Sequence, residues 1–80
     1  MPTVFELFGI RAFIIPGDHE PIHVHIEADG GFAKIQVFPD VGIIKQAGIK
    51  PAKMKKILNL VRDFREEIEE MWKANNSFNV

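Results

Sequence analysis

Three histidines, His19, His23 and His25, fall within seven residues of an 80-residue chain that has no others. Imidazole changes charge near neutral pH and is the commonest protein metal ligand. Such a cluster supports three readings. As a metal site it would use His19, His23 and His25, with Asp18 or Glu20 as a carboxylate ligand. Zinc, nickel or iron suits that nitrogen-rich set. As a metal-independent ribonuclease it would use His23 and His25 as general base and acid, with Arg11 or Lys34 holding a phosphate. In the plainest reading the histidines are polar residues on a wetted sheet face.

The neighbouring pattern determines which of these residues can act together. Residues 22–27 alternate, with Ile22, Val24 and Ile26 on one face and His23, His25 and Glu27 on the other. Two residues apart on a strand, His23 and His25 point the same way, about 6.6 Å apart along the chain. Glu27 lies about 13 Å from His23 along a straight strand, too far to share an ion. His19 precedes the strand and must fold back to join them. Asp29, Gly30 and Gly31 are a hairpin turn signal. The return strand runs from Phe32 to Phe38. An Asp29-Gly30 loop places His25 opposite Lys34 and His23 opposite Gln36. A Gly30-Gly31 loop places Glu27 opposite Lys34 and His25 opposite Gln36. The two registers differ by two residues and keep the same faces.

Upstream, Val4 to Phe8 and Ile10 to Ile15 are rich in β-branched and aromatic residues and read as strands. Downstream, Asp40 to Ala47 reads as a short turn of helix ended by Gly48. Pro51 suits the first turn of a helix running to about Lys73. Met54, Ile57, Val61, Phe64, Ile68 and Met71 recur at spacings of three and four, widened by Leu58, Leu60 and Trp72. That stripe packs on the sheet. A helix of about 23 residues would be about 35 Å long, so its far end could overhang and form a homodimer seam. Residues 75–80 read as a frayed tail. The expectation is one α+β domain over residues 1–80. Strands occupy about 4–38 and helix about 40–74. A small antiparallel sheet of three or four strands carries a long C-terminal helix on one face.

Composition excludes several classes. Charged residues are 26% and the net charge is −1, so no global field draws the chain to nucleic acid. Cysteine is absent, which removes disulfides, thiolate ligands and a thiol nucleophile. No apolar stretch approaches the roughly 20 residues of a membrane span, and the N-terminus does not read as a signal peptide. The expectation is a cytoplasmic protein that does not enter membranes.

The histidine face also carries Lys34 and Gln36, with Phe32 and Phe38 on the same strand phase. Arg11 shares its phase with Phe13. Basic and aromatic residues interleaved on a sheet can stack bases or meet a protein, and two cations favour the protein. The binding surface expected is His19, Glu20, His23, His25, Lys34 and Arg11. On the helix, Lys50, Lys53, Lys55 and Lys56 crowd the start and Glu66, Glu67, Glu69 and Glu70 the end, against the macrodipole. A salt-screened solvated face accounts for them better than an anion site.

The opening Met1-Pro2-Thr3-Val4, the run Asp18 to Ile26, and Ala33-Lys34 ahead of a C-terminal helix resemble a family of small bacterial proteins, domain of unknown function 4160. The resemblance extends over nearly the whole chain. The hallmark His-Glu-Pro-Pro-His-Val-His run is matched at His19, Glu20, Pro21, His23, Val24 and His25, with Ile22 in place of the second proline. The resemblance implies a toxin–antitoxin-like module that pairs with a small protein encoded nearby or acts on RNA. It implies no cofactor and no reaction.

Overall fold

In the computed structural model, which describes residues 2–76, five strands precede two helices. They are β1 (Thr3–Leu7), β2 (Ile10–Phe13), β3 (His23–Ala28), β4 (Gly31–Gln36), β5 (Gly42–Ala47), α1 (Pro51–Asp63) and α2 (Arg65–Asn76). The strands form one antiparallel sheet in chain order, a simple meander. This α+β architecture has one strand and one helix more than the sequence pattern suggests.

The extra strand is β5, where a short helix was expected. Gly48 has φ +78°, which serves a helix end and a turn equally. Ile43 and Ile44 are β-branched and favour the strand. All but one of the β5 residues are exposed, and Gly42 is half-buried. With neither face well covered, β5 shows no alternation to read. A bulge at Ile44 shifts the pairing from Lys34–Lys45 to Ile35–Ile43.

The β3–β4 hairpin takes the Asp29-Gly30 register. His23 faces Gln36, His25 faces Lys34, and Ala28 faces Gly31. Asp29 and Gly30 both have positive φ, as a type I′ turn requires. The period-two pattern therefore sends Val24, Ile26, Ala33 and Ile35 to the core, each at most 2% exposed.

The helices cover that core face. Pro51 starts α1. Met54, Ile57 and Val61 from α1 and Ile68 and Trp72 from α2 are buried in the sheet's cluster. Phe64 and Met71 are only partly buried, so Trp72 ends the stripe instead of Met71. The single helix expected to Lys73 is interrupted at Phe64, which has φ −100° and ψ 15°. No proline or glycine lies there. The interruption falls where the Phe64 ring meets Phe5 of β1, with centroids 4.7 Å apart. The single long helix is thus two helices of 13 and 12 residues, whose buried residues join the sheet's own core. Asn75 and Asn76, assigned to a frayed tail, lie in α2, where their side chains donate to the Met71 and Trp72 carbonyls. Residues 77–80 lie outside the described residues. Among the described residues, no helix is long and apolar enough to cross a membrane.

Candidate functional site

The segment between β2 and β3 builds the site. Ile15, Pro16, Gly17 and Asp18 form a turn in which the Asp18 N–H donates to the Ile15 carbonyl at 3.2 Å. Proline second and a glycine at φ +86° third are the requirements of a type II turn. The Gly17 N–H donates to Asn76 Oδ1 at 2.8 Å, which ties the turn to the end of α2. The turn carries Asp18 onto the face that bears His23 and His25.

One carboxylate oxygen then meets both imidazoles. Asp18 Oδ2 lies 2.7 Å from His25 Nε2 and 3.0 Å from His23 Nε2. His23 Nδ1 donates to the Pro21 carbonyl at 2.7 Å. A carbonyl and an ionised carboxylate only accept hydrogen bonds. His23 thus has an acceptor on each ring nitrogen. Both contacts are attractive only when both nitrogens carry hydrogen, or when another cation takes the place of the Nε2 proton. The His23 side chain is 5% exposed, so water does not relieve the demand. Burial pushes the Asp18 carboxyl up, but hydrogen bonds from His25 and then His23, together with their charge, outweigh it. They hold the group below its usual range.

Packed rings fix the imidazoles. His23 meets Trp72 edge-on at 5.0 Å and His25 edge-on at 5.1 Å between centroids. Phe13, directly opposite His25 in the β2–β3 register, stacks on it at 5.5 Å. The histidine face is therefore not simply wetted. The β2–β3 segment and Trp72 enclose one end of it.

The sequence candidates divide into three groups. His23 and His25 converge with Asp18, each offering one ligand atom within 4.8 Å of the others. His19, Glu20 and Lys34 line an adjoining cleft of about 190 Å³, which Asp18 and His23 also line. His19 and Glu20 are exposed, and neither belongs to the convergent group. Arg11 stands apart. It pairs with Glu27 at 3.1 Å and lies over the Phe13 ring at 4.5 Å. A larger open hollow of about 560 Å³ beside Arg11, Glu27 and Phe32 contains no histidine.

A sequence profile for the family described as "Domain of unknown function (DUF4160)" matches residues 9–73. The chain belongs to this family. The match takes in Asp18, His23, His25, Lys34 and Trp72 and stops short of Asn76. No curated protein and no solved structure matches the chain.

The residue pattern of this chain left Asp18 or Glu20 as the carboxylate candidate. The Pro16-Gly17-Asp18 turn signature is the local clue that favours Asp18. Phe13, Trp72 and Asn76 were not legible as site residues, because they reach it from other elements.

Proposed function

We propose that the chain binds one divalent transition-metal ion through Asp18 Oδ2, His23 Nε2 and His25 Nε2. The observation that supports this is the pair of acceptors on His23. A metal at Nε2 resolves the conflict with Asp18 while the Nδ1–H keeps its bond to Pro21. A second nitrogen donating to a backbone carbonyl is the usual outer contact of a metal-bound histidine. Two imidazoles and one carboxylate leave open positions for water or another ligand. An imidazole nitrogen must be unprotonated to ligate, so affinity falls as pH falls. An acid–base reading has less support. Both Nε2 atoms point at one oxygen and do not flank a gap where a phosphate ester could be attacked and protonated from opposite sides. Equilibrium dialysis against Zn²⁺, Ni²⁺ or Fe²⁺, followed by elemental analysis, should give near one ion per chain. Trp72 is the sole tryptophan, and the chain has no tyrosine. Its emission should therefore change on uptake through the ring contact with His23. Absence of bound metal at millimolar ion would reject the assignment.

A second reading, a toxin–antitoxin-like module that binds a small partner protein, has its own support. Phe32, Phe38, Ile43 and Ile44 are each 45–50% exposed around the outer edge of β4 and β5. β5 is an edge strand of the sheet, and an exposed edge offers unpaired backbone groups for strand addition. Co-expression with any small open reading frame that adjoins its gene should yield a complex, and Ile43→Lys should prevent it. Recovery of the chain alone would count against this reading.

A further inference from the structure

Lys34 and Lys45 sit directly opposite each other across β4 and β5. Like charges in that position destabilise a sheet. Some of the other cations have polar partners, whereas among the described residues Lys50, Lys55, Lys56 and Lys73 make no ion pair or side-chain hydrogen bond. Arg11 pairs with Glu27, Lys53 with Asp29 and the Phe8 carbonyl, and Arg65 with Glu69 and the Pro39 carbonyl. Among the described residues, neither Lys34 nor Lys45 makes an ion pair or side-chain hydrogen bond. Lys45 only approaches the Phe32 ring, at 5.8 Å. Lys34 lines the same cleft as Asp18 and His23. It also faces His25 across the β3–β4 pair. The bulge at Ile44 lets that residue form part of the cleft wall beside Lys34.

We infer that the cleft takes a small oxyanion, a carboxylate or a phosphate, with one oxygen on the metal and another on the Lys34 ammonium. This rests on the metal assignment above. The metal supplies positive charge on one side of the cleft and Lys34 supplies it on the other, with Lys45 adding to the field. Asp18 does not repel the anion strongly, because its charge is engaged by the metal and the imidazoles. Glu20 is exposed on the cleft wall and is screened by solvent. At about 190 Å³ the cleft encloses only a few heavy atoms of a ligand. Ile44 gives it one apolar wall, which suits the carbon end of a short carboxylic acid or phosphate monoester.

The probe is the Co²⁺-loaded chain, whose visible spectrum reports a change of ligand at the ion. Acetate and inorganic phosphate are titrated separately. At least one of them should shift the spectrum saturably, and their order distinguishes carboxylate from phosphate as the ligand class. Lys34→Met should raise the half-saturating concentration about tenfold, as expected for loss of a charge-assisted hydrogen bond. Its Co²⁺ stoichiometry should be unchanged, and Lys34→Gln serves if the Met variant folds poorly. Lys55→Met, on the exposed face of α1, controls for net charge and should bind the anion like the parent. If Co²⁺ binds but neither anion shifts the spectrum, or Lys34→Met behaves like the parent, the oxyanion inference is overturned and the metal assignment stands. If Co²⁺ does not bind, both are overturned.

Discussion

Asp18→Asn should lower metal affinity by at least about 100-fold, beyond the 10–100-fold typical of losing an outer contact, because it removes the charged member of the proposed ligand set. Asparagine preserves the side chain's size and one acceptor oxygen, so the turn and the fold should persist. Dialysis with elemental analysis measures the loss, and an affinity within tenfold of the parent would place the ion elsewhere. The same variant tests the electrostatics without metal. The Asp18 carboxyl is held below its usual range in the folded chain. A depressed carboxyl contributes stability above its unfolded value, near about 3.9, and loses that contribution as pH falls through the folded value. The parent should therefore lose stability below about pH 4 with a component absent from Asp18→Asn. Denaturant melts between neutral and acid pH would show it. Superimposable acid limbs would mean that the two imidazoles do not hold Asp18 ionised.

Trp72→Ala should destabilise the chain by about 3–5 kcal/mol, the usual cost of truncating a buried aromatic residue. Small domains hold only about 5–15 kcal/mol in total, so the variant will sit near its unfolding threshold. Trp72 is 4% exposed and carries two loads at once. It closes the C-terminal end of the helix stripe over the sheet, and its ring backs His23. Its removal opens a cavity and lets the imidazole turn away from Asp18. Trp72→Phe should recover most of the stability by restoring a ring. Chemical denaturation measures both variants. A loss under 1 kcal/mol for Trp72→Ala would show that α2 is not held at this end by the tryptophan.

The legible parts of the fold are those with a strong local period. Residues 22–27 alternate and are followed by Asp29 and Gly30, and the β3–β4 pair forms in one of the two registers that this allowed. Pro51 and the three- and four-residue spacings marked the helix start and its buried stripe. Where the period fails, the reading fails. β5 is exposed on both faces, so Ile43 and Ile44 show no alternation, and Gly48 suits a helix end as well as a turn. The interruption at Phe64 has no proline or glycine to announce it. It coincides with a contact to Phe5, 59 positions away in the chain.

The candidate site divides along the same line. The sequence alone determined that His23 and His25 share one side of a strand, since side chains alternate with period two whatever surrounds them. It also determined that Glu27 is too distant to join them. Tertiary structure decided that Asp18, not His19, completes the group, because a turn's direction depends on what receives it. Here Asn76 of α2 accepts from Gly17. Tertiary structure also buried His23, through the Trp72 ring and the Pro21 carbonyl. Burial is a property of contacts between distant segments, and no local spacing encodes it.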